Sequence, residues 1–172
     1  MIWTTFEFID KFFIQHPRFK GKKVLDVGSL DVSGNPREAF EKRGFTYIGS
    51  DISEGPNVDV VINGHALHEK FKAGEFDLVF CVDTLEHDEA FWITIKQIYR
   101  LLRRNGYLIL GMPGRAHYLH RHPYDYWRFM PDSFEKVLLA KYRNIFVEVK
   151  YHETNHLNQN IENEIYGWGR KK

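Results

Sequence analysis

A chain of 172 residues is long enough to bury one core and too short for a large second domain, so residues 1–172 are expected to form one domain. Its 43% apolar and 16% aromatic content excludes a disordered chain, and 24 Lys plus Arg against 23 Asp plus Glu, a formal net charge of +1, gives no sequence-wide electrostatic case for nucleic acid. The single cysteine, Cys81, excludes an internal disulfide, no stretch approaches the roughly 18 apolar residues of a membrane span, and the N-terminus lacks a basic region followed by an apolar core; a cytoplasmic protein with no membrane partner is expected.

Residues 2–13 place Ile2, Phe6, Ile9 and Phe13 three or four apart, with Glu7, Asp10 and Lys11 between them, which predicts an amphipathic helix. Two readings are open: a helix covering one face of a sheet or, given the extra aromatic surface of Trp3 and Phe12, a lid over a ligand. Pro17 and Gly21 then break the pattern, leaving residues 1–20 as helix and linker. In residues 23–53, an apolar run at 24–27 ends in Gly28, a polar loop and a helix-like segment follow, and a second short run at 47–49 leads to Asp51. A right-handed βαβ unit of this kind puts the first loop and the last acidic residue on one edge of a parallel sheet. Gly28 allows a tight turn with a ligand against the backbone, Asn35 is placed to cap the helix, and Pro36 suits its first position. Asp51 falls about 20 residues further on, where a carboxylate accepts hydrogen bonds from both hydroxyls of a ribose, so the ligand is read as an adenosine-type cofactor.

The dinucleotide fingerprint G-x-G-x-x-G needs three glycines to seat a pyrophosphate at a helix N-terminus. The loop Gly28-Ser29-Leu30-Asp31-Val32-Ser33-Gly34 does not supply them, and Asp31 repels phosphate. S-adenosylmethionine (SAM) carries a sulfonium cation and no phosphate, and needs only a turn and an acidic environment. In these residues the chain resembles the class I SAM-dependent methyltransferases. Their first motif, an acidic residue, x, Gly, x, Gly, x, Gly after a strand, is matched by Asp26 and Gly28 and departs at Leu30 and Val32; their second, an acidic residue closing the second strand, is matched by Asp51. The resemblance runs from Val24 to Trp168. It implies an α/β fold, a Rossmann-like doubly wound sheet of seven strands in the order 3-2-1-4-5-7-6, mostly parallel with an antiparallel last strand. It also implies a SAM site made by Asp26, Gly28, Ser29, Asp51, Ile52, Asn63 and Asp83.

Beyond Asp51, Ser53-Glu54-Gly55-Pro56-Asn57 reads as a turn and 58–62 as a third strand, followed by Asn63-Gly64-His65. In the family this strand end often touches adenine, which gives Asn63 that role; an ordinary turn is the alternative. The continuous apolar run 76–82 predicts a central parallel strand covered on both faces, with Cys81 in the core. In the family the end of this strand passes the methionine part of SAM and often reads as an apolar residue, then Glu-His, which Leu85-Glu86-His87 matches. Asp83 is placed near the sulfonium, where Coulomb attraction favours a carboxylate. His87 reads either as a packing residue or as a base. Residues 89–103 form the next helix, with Phe91, Ile95, Ile98 and Leu102 on one face and a stop at Arg103-Arg104-Asn105-Gly106, and 107–111 form the fifth strand. Neither an Asn-Pro-Pro-Tyr loop nor a Pro-Cys nucleophile is present, so no nucleic-acid partner is expected.

Residues 112–131, MPGRAHYLHRHPYDYWRFMP, hold three histidines, three arginines, three tyrosines and a tryptophan. A loop of this kind after a strand's carboxyl end is where α/β sheets bind ligands, so it is assigned to the substrate side. His117, His120 and His122 invite a metal reading, which is set aside because no nearby cysteine or fourth ligand completes the set; no metal is expected. Methyl transfer to an alcohol needs alignment at about 3–3.5 Å and removal of the hydroxyl proton. The catalytic candidates are His117, His122 and Asp125, with His120 beside them. Tyr124, Tyr126, Trp127 and Arg128 are the substrate candidates, against the alternative that they lock the loop by packing and a charge-assisted hydrogen bond. Arg115, Arg121 and Arg128 suit a carboxylate or phosphate on the acceptor.

Residues 133–141 read as the last helix, and 144–149 and 164–168 as strands around a loop at 151–163, with His152 and His156 as surface residues. The sum is a SAM-dependent methyltransferase acting on a small-molecule acceptor, at an oxygen of a sugar or related polar metabolite. The alternatives are methylation of a protein or nucleic acid, a non-catalytic SAM-binding module and, disfavoured by the missing glycines, an NAD-dependent oxidoreductase. The residues specify no oligomeric state.

Overall fold

The computed structural model describes residues 3–32, 34–153 and 161–172. Strands β1 (Lys23–Val27), β2 (Thr46–Asp51), β3 (Val60–Val61), β4 (Phe76–Val82), β5 (Leu102–Pro113), β6 (Tyr142–Glu153) and β7 (Ile161–Lys171) form one sheet in the order β3-β2-β1-β4-β5-β7-β6. The first five pair in parallel, and β7 runs antiparallel to both β5 and β6. This is the Rossmann-like order that the resemblance implied. After β1 the chain builds outward through β2 and β3, then returns to lay β4 on the other side of β1. The carboxyl ends of β1 and β4 therefore flank the crevice where the strand order reverses, the place such sheets bind ligands.

Alternation along the strands sorts the core into two layers. Leu78, Phe80 and Val82 of β4 and Tyr107 and Ile109 of β5 face one side, with Phe8, Ile9 and Phe12 of helix α1 (Trp3–Gln15) and Phe40 of helix α2 (Arg37–Glu41). Val79, Cys81, Leu108, Leu110 and Met112 face the other, under Leu67 of the 3-10 turn Gly64–Glu69, Ile98 and Leu101 of helix α3 (Phe91–Leu101), and Phe134 and Leu138. Cys81 is fully buried, as expected of a core residue.

Several elements differ from their sequence outlines. The buried stripe of α1 is Thr5, Phe8, Ile9 and Phe12, not Phe6, Ile9 and Phe13; Ile2 lies outside the described residues. Both stripes satisfy helical spacing, and the partner decides: Phe8 lies 4.8 Å from Trp168 and 5.0 Å from Tyr166 between ring centres, and Phe12 lies 5.5 Å from Trp168. Helix α2 has only five residues, and Asn35 accepts the Arg37 N–H at 3.1 Å, with Pro36 just before the first helical residue. Strand β3 has two residues, because Val58 and Asp59 donate backbone bonds back to Gly55 and Gly49. Helix α3 stops at Leu101, and Leu102 already pairs with Phe76 in β5. In place of a regular helix at 133–141 stand a three-residue turn, α4 (Pro131–Ser133), and a wider π-helical turn, Phe134–Leu138. Strands β6 and β7 pair out to Glu153 and Ile161, which takes up both ends of the expected loop; its remainder, with His156 and the side chain of His152, lies outside the described residues, as does Ser33. Among the described residues no helix is long and apolar enough to cross a membrane.

Phe8 is 1% exposed and packs on Tyr166, Trp168 and Phe146. Phe8→Ala is expected to cost about 3–5 kcal/mol of folding stability, read as a lower urea midpoint with an unchanged slope.

Candidate active site

The first wall of the crevice is the loop after β1. Gly28 sits at φ +82°, and a Cβ there would lie 2.0 Å from Thr84 Oγ1, so a side chain would collide with the chain leaving β4. The N–H groups of Gly28 and Ser29 both donate to the Ser50 carbonyl, at 2.8 and 3.0 Å, folding the loop over the end of β2. Asn57 braces it from outside: its Nδ2 donates to the Ser29 carbonyl at 2.8 Å and to the Tyr47 hydroxyl at 2.9 Å. Tyr47 in turn donates to Asp26. Asp26 is 3% exposed, and its carboxyl faces this network rather than the open crevice. Burial pushes Asp26 from 3.8 up to about 7, with the Tyr47 hydrogen bond opposing and the Asp51 charge adding to the rise. Burial, with the Asp26 charge beside it, holds the Tyr47 phenol well above its usual range.

Around the same edge, Asp51 ends β2 half-buried, accepting the N–H of Leu30 at 3.2 Å and of Ser53 at 2.8 Å, with the exposed Ile52 beside it. Asn63 caps the turn Gly64–Glu69 by accepting the His65 N–H at 2.8 Å. Asp83 follows β4 at φ +50°, its N–H donating to the Gly111 carbonyl at 2.9 Å. Burial first, then the Glu86 and Glu164 charges, hold the Asp83 carboxyl well above the carboxylate range, with His120 acting in the opposite sense. Gly28, Ser29, Asp51, Ile52, Asn63 and Asp83 thus share the carboxyl edge of β1 to β4.

The loop 114–130 is pinned to the 3-10 turn Leu85–His87 that follows β4. The Glu86 carbonyl accepts Tyr126 N–H at 2.8 Å and Trp127 N–H at 3.3 Å, His87 Nδ1 lies 2.5 Å from the Tyr124 carbonyl, and Trp127 Nε1 donates to the Asp88 carbonyl at 2.8 Å. The Asp88 carboxylate then accepts from Ala90 N–H at 2.9 Å and Thr94 Oγ1 at 2.6 Å, fastening the turn to α3. Inside the loop, Asp125 is held by both Arg128 Nη atoms at 2.5 and 2.6 Å and by the His120 N–H at 2.8 Å, and Arg128 keeps it well below the carboxylate range. Arg128 also donates to the carbonyls of His117, Tyr118 and Trp127. Asp125 and Arg128 are therefore engaged with each other and with the loop backbone. His117 is half-buried beside Tyr118 and His120, and His122 is exposed, 6.5 Å from the His87 ring. Tyr124 and Tyr126 are exposed, with ring centres 5.7 Å apart.

Two buried carboxylates join this edge that the sequence reading left out of the site. Glu86 has no exposed surface, although it stands in the quoted Leu85-Glu86-His87 triplet. Glu164 of β7, 1% exposed, accepts from Tyr166 Oη at 2.5 Å and Thr4 Oγ1 at 3.1 Å, latching α1 to the sheet. Its only sequence signal was its place on the Tyr166 and Trp168 side of an alternating strand.

The raised Asp26 value has a stability consequence. A carboxyl that binds its proton more tightly in the folded chain stabilises fully below the unfolded value near 3.8, and that contribution is lost as pH rises through about 7. Within that window stability is expected to fall by up to about 1.4 kcal/mol per pH unit from this group, and Asp26→Asn to flatten the slope. Urea unfolding across the window measures it; an unchanged slope in a folded Asn variant would place the titration elsewhere.

With this geometry in hand, the likeness to known proteins is informative. Residues 5–146 match the methyltransferase domain family. A ubiquinone biosynthesis O-methyltransferase from Pseudomonas entomophila is 34% identical over 109 residues, covering 55% of this chain and 46% of that protein. The chain thus spans less than half the length of that curated relative. Among solved structures, a SAM-dependent methyltransferase from Archaeoglobus fulgidus superposes with a TM-score of 0.70 at 16% identity, over 96% of this chain and 94% of that one. Haemonchus contortus phosphoethanolamine N-methyltransferase 2, in complex with SAM, gives 0.66 at 18% identity, over 98% and 52%. At such identities the superpositions speak for the fold, while the domain match covers most of the chain: it belongs to the methyltransferase domain family, as a class I SAM-dependent methyltransferase.

Proposed function

We propose that the chain transfers the SAM methyl group to an oxygen of a small polar acceptor, a sugar or related metabolite, with residues 112–131 over the acceptor side of one domain. The observation that carries this reading is the juxtaposition of the carboxyl edge bearing Gly28, Asp51 and Asp83 with a loop pinned to the same edge and presenting the exposed faces of Tyr124 and Tyr126. The Pseudomonas relative is an O-methyltransferase, which supports oxygen as the accepting atom.

The edge suits the cofactor chemically. SAM supplies an electrophilic methyl group on a cationic sulfur. Asp83, half-buried and crowded by the Glu86 and Glu164 charges, is stabilised in its ionised form by any cation placed beside it. Asp51 would take the ribose hydroxyls, Gly28 and Ser29 would hold the cofactor by their backbone, and Ile52 and Asn63 would serve the adenine end. Asp26 acts through Tyr47 and Asn57, holding the loop from behind.

On the acceptor side, Tyr124 and Tyr126 offer aromatic faces to an apolar sugar or ring surface. His117, half-buried in the loop, and His122, exposed on it, are the proposed bases. Asp125, clamped by Arg128, is a poor proton acceptor, because a carboxylate held so far below its usual range has little affinity for a proton. Asp125, Arg128 and Trp127 hold the loop in place.

Asp51→Ala is expected to weaken SAM binding by about 1–3 kcal/mol, since the ribose loses a charged acceptor, while the far-UV spectrum stays native; unchanged affinity in calorimetric titration would remove the proposed ribose contact. Tyr124→Ala is expected to lower turnover of an acceptor while leaving SAM affinity within about twofold, a change of roughly 0.4 kcal/mol. Equal loss of both would move Tyr124 into the cofactor pocket.

A further inference from the structure

We infer that Glu86, His87 and His120 form a binding site for a divalent transition-metal cation, with an open position that takes the acceptor oxygen. This rests on the methyltransferase reading above for its role, though not for its existence. The three residues each bring a ligand atom within 4.8 Å of the others. Glu86 is fully buried, and neither of its carboxylate oxygens has a hydrogen-bond partner. A buried carboxylate left in this state is costly. Two imidazole nitrogens face one of these oxygens, His120 Nε2 at 3.4 Å and His87 Nε2 at 3.6 Å. These separations are long for charge-assisted hydrogen bonds, which run about 2.7–2.9 Å. They are the spacing of ligands around a metal: two atoms each about 2.0–2.2 Å from a tetrahedral zinc stand about 3.3–3.6 Å apart.

The far sides of both rings agree. His87 Nδ1 is 2.5 Å from the Tyr124 carbonyl, which can only accept, so Nδ1 carries a proton and Nε2, facing Glu86, is the nitrogen left to bind a cation. His120 Nδ1 lies 3.4 Å from the Tyr118 carbonyl and 3.6 Å from Asp125 Oδ2, again acceptors only. A metal-bound histidine ordinarily directs its other nitrogen at a carbonyl or carboxylate in this way. Asp125 is itself fixed by Arg128. Two imidazoles and one carboxylate suit zinc and its first-row neighbours better than magnesium. The sequence reading, which grouped His117, His120 and His122, passed over this set because Glu86 and His87 come from another element.

Three protein ligands leave a place for the acceptor hydroxyl. Bound there, its oxygen releases its proton to water at lower pH than in solution. The oxygen lone pair forms the new C–O bond to the methyl carbon as the C–S bond breaks, and that bond's electrons remain on sulfur as S-adenosylhomocysteine. The cation also fastens the loop bearing His120 to the turn after β4.

The test is calorimetric titration of the chelator-stripped full chain with zinc chloride, and with magnesium chloride in parallel, for the wild type, Glu86→Gln and His120→Ala. His120 is partly exposed, so its variant keeps the experiment readable if the Glu86 change disturbs folding. One zinc per chain is expected, with affinity at least about tenfold weaker in each folded variant and weaker magnesium binding throughout. No stoichiometric zinc binding, or equal affinity in His120→Ala, overturns the site. S-adenosylhomocysteine titrated into the same samples separates the two readings: its binding without zinc binding leaves the methyltransferase reading and removes the cation site, and zinc binding without it does the reverse.

Discussion

A buried carboxyl beneath the first loop governs how this site is built. Asp26 takes the Tyr47 hydroxyl, Tyr47 takes an Asn57 amide, and that amide also holds the Ser29 carbonyl, so one chain of hydrogen bonds runs from β1 through β2 to the turn before β3. Each member is satisfied by the next, which is what lets a carboxyl stand 3% exposed under a ligand loop. The chain also accounts for the departures at Leu30 and Val32. Glycines in this loop free the backbone to follow a ligand, whereas here the path is prescribed from outside: the Leu30 N–H goes to Asp51 and the Asp31 N–H to the Pro56 carbonyl. The Leu30 side chain lies where a Cβ on Gly55 would come within 2.4 Å of it. The loop has exchanged intrinsic freedom for bracing by the segment before β3.

The other half of the crevice is organised by charge. Asp83, Glu86 and Glu164 come from the chain just after β4, the turn that follows, and β7; Glu86 and Glu164 are buried and Asp83 is half-buried beside them. A cluster of buried acids is stable only with protons or cations among them. Tyr166 and Thr4 serve Glu164, and the imidazoles of His87 and His120 stand over Glu86. A sulfonium beside Asp83 and a metal ion at Glu86 would each relieve part of the remaining cost, so cofactor and cation share an electrostatic cause. The loop 114–130 enters the same arrangement through backbone bonds from Tyr126 and Trp127 to Glu86, so on the proposed reading acceptor, cation and cofactor would all be referred to that one turn.

The strands themselves were legible from short-range signals, apolar runs of strand length, glycine stops and an acidic residue at the end of the second strand, while their order came with the family resemblance that those residues carry. What was not legible depended on which of two equivalent faces met a partner. Phe6 and Phe13 compete with Phe8 and Phe12 for the α1 stripe on equal spacing, and only the wall of Tyr166 and Trp168 decides between them. In the loop, which has no period, nothing separates a free Asp125 from one clamped by Arg128 three residues on. Glu164 reads as an ordinary polar position in a strand until its pairing with Pro113 places it at the crevice. The histidines were visible as a cluster, yet the ones that converge on a carboxylate are His87 and His120, from segments more than thirty residues apart.

The most direct measurement is calorimetric titration of the full chain with SAM, S-adenosylhomocysteine and NAD in parallel. Saturable one-to-one binding of the first two with no heat from NAD is the result this account requires. Binding of NAD alone, or of none of the three to a folded chain, would contradict it and turn attention back to the loop at Leu30 and Val32.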